Sequence, residues 1–200
     1  MNAKGMDAKN EFLSEIVKSG EEFLALLRET SGLVAYYRRL LERYELDTLT
    51  GLPGSNKFRD HINELKDSGF NIGVIFFDVN NLKYYNDTKG HYAGDLLLQK
   101  ASESIHLSCG INTTAYRVGG DEFVVIITNC EESAIESFIS TWLTNLEKLN
   151  QRDDGVNCSV AVGAAFGSGE YKLGDILKLA DERMYQDKRR TKEHNEGINN

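Results

Sequence analysis

Proline is nearly missing from this 200-residue chain; the one copy is Pro53. With so few enforced breaks in the backbone, that single proline carries weight as a boundary marker. Cysteine is also scarce. The three, Cys109, Cys130 and Cys158, are odd in number and show no CxxC spacing. This argues against a disulfide framework, and each lies in or beside an apolar segment, as buried free thiols in a reducing compartment would. No apolar run approaches the roughly 20 residues needed to span a bilayer, and no signal-peptide pattern opens the chain. No membrane insertion by this segment is therefore expected. A cytoplasmic location is, either alone or as the cytoplasmic part of a larger receptor. Positive charge is in deficit, with 23 Lys and Arg against 31 Asp and Glu, net −8. A broad basic surface for a nucleic acid polymer is excluded on that balance. An acidic chain still binds a nucleotide where metal ions offset the repulsion between phosphates and carboxylates.

What is present divides into an arm and a mixed domain. From Phe12 to Tyr44 a seam runs Phe12, Ile16, Ser19, Phe23, Leu26, Thr30, Leu33, Tyr37, Leu40, Tyr44, in alternating steps of four and three. That is heptad spacing. Gly20 and Gly32 interrupt it, so one dimerising helix and a short helical hairpin both fit; the favoured helix is 31–44. The turn-rich Asp47-Thr48-Leu49-Thr50-Gly51-Leu52-Pro53-Gly54 closes the arm. Residues 1–46 thus read as a helical arm or linker, 47–192 as the catalytic-type domain, and 193–200 as a disordered tail.

Within the domain, helical stripes run over 57–66, 96–107, 131–149 and 174–188. Strands are expected at 71–78, 114–118, 123–128 and 157–166. The nearly continuous apolar run Ile72 to Phe77 suits a central strand covered on both faces. The fold class expected is α+β, a mainly antiparallel sheet flanked by helices in βααββαβ order.

Chemistry concentrates at a few points. Gly119-Gly120-Asp121-Glu122 falls between two strand-like runs and reads as a tight hairpin, its glycines suited to positive φ and to close approach by a phosphate. Asp78 ends the central strand. If Asp78 and Asp121 lie on adjacent strands, their hard oxygens suit Mg²⁺ or Mn²⁺, which would bridge triphosphate oxygens. Asn and Asp side chains suit guanine, since a carboxylate accepts from its N1–H and exocyclic amine.

Taken in order, these blocks resemble the GGDEF family of diguanylate cyclases, from Asp47 to about Lys192. The family's opening block stands as Asp47-Thr48-Leu49-Thr50-Gly51-Leu52. The second stands as Asp78-Val79-Asn80-Asn81-Leu82-Lys83-Tyr84-Tyr85-Asn86-Asp87. Gly90, His91, Gly94 and Asp95 follow, then the intact signature, then Ala180, Asp181 and Tyr185. The resemblance implies a nucleotide-cyclase palm and a transferase reaction, two GTP condensing to cyclic di-GMP with release of two pyrophosphates. It implies metal at Asp78, Asp121 and the Val79 carbonyl, and a catalytic set of Asp121, Glu122 and Lys83. Guanine would be read by Asn86 and Asp95. Phosphates would be held by Lys83, Lys188, Lys192, the amides of Asn81 and Leu82, and the Gly119-Gly120 turn. One GTP per domain makes catalysis the work of a homodimer, which the arm would assemble, with an upstream sensor domain as a further partner.

The departures are specific. Gly54-Ser55-Asn56 replaces the usual Asn-Arg-Arg, and Thr191-Lys192 the usual Gly-Arg, where lysine keeps the charge without the bidentate fork. The family's product-inhibition motif, Arg-x-x-Asp, is Gly110 and Thr113 here. The alternatives are a non-catalytic GTP- or dinucleotide-binding signalling module, and a relaxed enzyme making a mixed guanine–adenine product, against which Asp95 argues.

Overall fold

The computed structural model describes residues 18–19, 21–22, 24, 26–36, 46–66 and 68–198. The chain divides into two units, Met1–Tyr44 and Glu45–Asn200.

In the first unit the described residues form a helix, α1, continuous over 26–36. Gly32 lies inside it, so the expected break there does not occur, and the helix begins before Ser31. An added Cβ at Gly32 would meet nothing within 4 Å; a lone glycine costs a helix only about 1 kcal/mol. The seam positions Phe12, Ile16, Phe23, Tyr37, Leu40 and Tyr44 lie outside the described residues. Leu26 and Leu33 are exposed in the described part.

The second unit runs α2 (Ser55–Leu65), β1 (Ile72–Val79), α3 (Leu82–Lys89), α4 (His91–His106), β2 (Thr113–Arg117), β3 (Glu122–Thr128), α5 (Ser133–Asn150), β4 (Val160–Gly167) and α6 (Leu173–Ile198). From β1 to β4 this is the expected βααββαβ order. The sheet order is β2-β3-β1-β4 with every pair antiparallel. The central strands β1 and β3 are buried on both faces, which explains their unbroken apolar runs.

Period-two alternation sorts the core. Ile75, Phe77 and Val79 of β1 and Phe123, Val125 and Ile127 of β3 pack on α4 and α5. There Phe77 meets Trp142 edge-on with centroids 4.9 Å apart, and the Trp142 indole donates to Ser104 Oγ at 3.1 Å. Ile72, Val74, Val124 and Ile126 face the other way, toward α2 and α6. Asp78 and Glu122 share the parity of that second set and so point toward α6.

α6 approaches β4 closely because Ala161, Gly163 and Ala165 form a stripe of small residues beneath it, opposite Asp78, Phe76 and Val74. A Cβ at Gly163 would run into the backbone of Met184 and Ala180. Two α6 side chains then pair with the outer edge of β4. Val162 N donates to Asp187 Oδ2 at 3.0 Å, and Arg183 Nη1 donates to the Ala164 carbonyl at 2.6 Å. α6 also runs on to Ile198, through the segment expected to be a frayed or disordered tail; Lys192, Glu193 and Glu196 are sound helix formers. α3 is the element that periodicity did not reveal. It has no buried residue, so no apolar stripe marks it.

The Gly163 packing gives a direct check. Gly163→Ala should destabilise the protein by about 1–3 kcal/mol, by forcing α6 off the sheet. Gly174→Ala, where an added Cβ meets nothing within 4 Å, should be neutral or stabilise by about 0.4–1 kcal/mol. Urea unfolding of the two variants would measure both.

Candidate active site

Asp78 is the penultimate residue of β1 and is 5 % exposed. Its register partner across the sheet is Glu122, the first residue of β3. Asp121 sits one residue earlier, and its carbonyl accepts from Val79 N at 2.9 Å. The chain thus brings Asp78, Val79, Asp121 and Glu122 to one end of the two central strands. From α6, Lys188 Nζ donates to Asp78 Oδ2 at 2.6 Å. The other oxygen, Asp78 Oδ1, is buried without a hydrogen-bond partner.

The electrostatics follow from that crowding. Burial pushes the Asp78 carboxyl above its ordinary range; the bond and charge of Lys188 pull it back in part, and Asp121 adds a push upward. Glu122 is raised by partial burial, then by the charges of Asp121, Asp78 and Asp181, with Lys188 opposing. The site is therefore short of positive charge.

The signature turn departs from expectation in one respect. Neither Gly119 nor Gly120 has a left-handed φ. At 119 an added Cβ would meet the carboxylate end of Glu122, a flexible exposed side chain that can shift to make room. At Gly120 an added Cβ would meet nothing within 4 Å, and the residue is exposed. The turn is held from outside by Arg117, a residue that belongs to none of the motif blocks. Arg117 Nη2 donates to the Gly120 carbonyl at 2.6 Å, and Nη1 to Asp47 Oδ1 at 2.9 Å. The same Asp47 oxygen accepts from Thr50 N at 2.8 Å and Thr50 Oγ1 at 2.7 Å. Partial burial pushes the Asp47 carboxyl up, but its bonds from Thr50 and Arg117 outweigh this and leave it lowered. The opening block Asp47–Leu52 is thereby clamped to the signature.

β1 passes into α3 through Asn80 and Asn81. Asn80 is fixed by Ser159, its Nδ2 donating to Ser159 Oγ at 3.1 Å. Asn81 has φ 62°, in the left-handed region that asparagine tolerates, and caps α3. That reversal sets the first amides of α3, beginning at Leu82, at the carboxylate end of β1. A helix N-terminus leaves such amides without intrahelical partners. Asn86 is on the same helix, and its side-chain oxygen lies over Gly94 of α4, where a Cβ would overlap it. Asp95 is the next residue, exposed at the surface. Asn86 and Asp95 are thus neighbours across the α3–α4 corner. Lys83 is exposed on α3. Among the described hydrogen bonds and ion pairs, none joins Lys83, Asn86 or Asp95 to the carboxylates.

α6 closes the remaining side. A cavity of about 650 Å³ lies between Asp78, Glu122 and α6, lined there by Asp181, Tyr185, Lys188 and Arg189. A second, of about 430 Å³, continues along Tyr185, Lys188, Arg189 and Lys192. Arg189 extends the site beyond the residues singled out from sequence, and Asp181 and Tyr185, there only members of the last family block, line the cavity as well. The spacing of four among the three, with Lys188 and Lys192 between and beyond, is the visible signal of a single helix face.

This arrangement has counterparts. A family model described as "Diguanylate cyclase, GGDEF domain" matches residues 44–194. The chain belongs to the GGDEF family. Among curated proteins it is 33 % identical over 185 residues to the cyclic di-GMP phosphodiesterase PdeR of Escherichia coli K12, covering 87 % of this chain and 28 % of that protein. It is 27 % identical over 199 residues to the diguanylate cyclase DosC of the same strain, covering 94 % and 42 %. The GGDEF chain thus spans less than half the length of these relatives. Among solved structures, the coiled coil and GGDEF domain of DgcB from Caulobacter crescentus, in complex with c-di-GMP, superimposes with a TM-score of 0.71 at 21 % identity, covering 84 % of this chain and 93 % of that one. This likeness shows the fold, a GGDEF palm.

Among the described residues no cluster of three or more His, Cys, Asp or Glu side chains is arranged for a metal ion. Two carboxylates and a main-chain carbonyl still suit Mg²⁺, which keeps few protein ligands and completes its shell from water and phosphate. The unpartnered Asp78 Oδ1 fits such a role.

The raised Asp78 gives a signed prediction. A carboxyl whose folded value lies above its unfolded one weakens the fold when ionised. In metal-free buffer at neutral pH, Asp78→Asn should raise the unfolding midpoint by about 2–4 °C. The gain should shrink as pH falls through the raised value and vanish below the ordinary carboxylate range, where native Asp78 is protonated too. Thermal scans across pH would read this.

Proposed function

We propose that this GGDEF domain is an active diguanylate cyclase. It condenses two GTP into cyclic di-GMP and releases two pyrophosphates. The observation that carries the reading is the buried, unpartnered oxygen of Asp78, a residue that lines the cavity together with Glu122. A structural strand-end carboxylate would have both oxygens satisfied. This one has the charge and the vacant lone pairs that a divalent cation uses.

Asp78, Asp121 and the Val79 carbonyl would hold Mg²⁺ or Mn²⁺. Such an ion, when bound, screens the phosphates and stabilises charge on the departing pyrophosphate. The rest is the work of this chain's side chains. Asn86 and Asp95 read the guanine edge, the carboxylate accepting from N1–H and the exocyclic amine. The amides of Asn81 and Leu82 at the start of α3 and the open face of Gly120 receive phosphate oxygens. Gly119 admits the Glu122 carboxylate against the turn. Lys83 and Lys188 supply positive charge, and Lys192 extends it. Asp121, aided by Glu122, accepts the proton of the attacking 3′-hydroxyl. That hydroxyl belongs to the GTP of a second protomer, so two sites must face one another, and α1 is the element to pair them. A GTP-consuming site belongs in the cytoplasm, and Cys109, Cys130 and Cys158, all free, suit its reducing conditions.

A second reading is supported by the PdeR match. That protein is named for a phosphodiesterase, and this chain covers 28 % of it. On that reading the domain binds GTP or a dinucleotide and signals to a partner without turnover.

Purified protein given Mg²⁺ with GTP or ATP decides between them. Cyclic di-GMP from GTP alone is the expected outcome; no product from GTP in a forced dimer would overturn the enzyme reading. Asp121→Ala should lower turnover below about 1 % of wild type with an unchanged thermal midpoint, and retained activity would sink the metal assignment.

The Arg-x-x-Asp positions make a separate prediction. Gly110 and Thr113 line a groove of about 370 Å³ with Ser108, Asn112, Asn129 and Ser137, and none of its lining side chains is charged. A dianionic product needs cationic donors. Saturating cyclic di-GMP should leave the initial rate unchanged; inhibition that maps to residues 110 to 113 would refute this.

A further inference from the structure

Lys188, Arg189 and Lys192 fall on one face of α6. At 100° per residue the three lie within about 100° of arc, with Tyr185 between them. Their surroundings differ. Lys188 is committed to Asp78 at 2.6 Å, an ion pair whose acidic partner is almost fully enclosed. Lys192 is exposed and carries a point charge. Thr191 turns its hydroxyl back to the Asp187 carbonyl at 3.1 Å and presents no donor forward. Arg189 is the one side chain of the three that lines both cavities without being tied to Asp78. Its ion-pair partner is Glu193 at 3.8 Å, and both are about two-thirds exposed. Such a pair is worth little and yields readily.

The geometry points to Arg189 as a binding residue for the triphosphate tail of the nucleotide, an inference that rests on the GTP site proposed above. Its planar guanidinium supplies, from one turn earlier on the helix, the two-pronged grip that a lysine at 192 does not. The two cavities share Tyr185, Lys188 and Arg189, so a polyphosphate reaching outward from the Asp78 carboxylate would pass along these side chains. Arg189 is the guanidinium that lines both cavities there.

The test is equilibrium binding in Mg²⁺ of GTP, GMP and inorganic tripolyphosphate to the full chain. Arg189→Gln should weaken GTP and tripolyphosphate about tenfold and leave GMP within twofold. Arg189→Lys should fall between, and Lys192→Arg added to Arg189→Gln should recover most of the loss. The position is exposed and glutamine is a good helix former, so the thermal midpoint should not move. GTP binding within twofold of wild type in Arg189→Gln overturns the inference, as does an equal loss for GMP, which would mark a general structural effect. If wild-type protein binds GMP and tripolyphosphate but not GTP, or none of the three, the GTP site itself fails and this inference with it.

Discussion

The arrangement depends on how near α6 lies to β4. A helix ordinarily rides above a sheet on the side chains between them. Here those side chains are the small ones of Ala161 and Ala165, and at Gly163 the strand meets the helix backbone directly. The consequence is local to the far end of the helix. It lowers Lys188 to within hydrogen-bonding distance of a carboxylate buried at the end of β1. A bulkier β4 would hold the ammonium in solvent and leave Asp78 ionised with no counter-charge.

The sheet supplies the other half of this logic. Because side chains alternate, the strand end that buries Phe77 and Val79 against α4 and α5 must present Asp78 to α6. The antiparallel register then sets Glu122 opposite it. Three acids at one strand end burden the fold, as the raised Asp78 and Glu122 show. The core offsets the burden. Trp142, Phe77 and Phe123 are among the largest fully buried side chains, and burying such a residue contributes about 1.5–3 kcal/mol.

Much of this was legible in the chain itself. The unbroken apolar run of β1, the helical stripes of α4 to α6 and the spacing of the acidic and glycine blocks each have a direct physical origin, and the order of those elements follows from them. What stayed hidden has physical reasons too. α3 buries nothing, so its helix leaves no periodic trace. Gly119 and Gly120 read as positive-φ turn glycines, yet neither adopts that conformation, a distinction that no residue pattern carries. Arg117 touches Asp47, 70 positions away in sequence, and no local pattern predicts such a clamp. Gly32 reads as a helix breaker, but an exposed helix absorbs a single glycine at modest cost.

One feature of α6 bears on how copies of this protein can meet. β4 is an outer strand of the sheet. Its outward-facing amide at Val162 and carbonyl at Ala164 are already taken by Asp187 and Arg183 of α6. An edge so occupied is a poorer template for another strand. At the opposite margin, β2 is five residues long and its Arg117 amide is engaged by the Pro53 carbonyl. Lateral zippering of sheets is thereby obstructed along β4. Association of two such domains is steered toward side-chain surfaces, which can separate again and so can be switched.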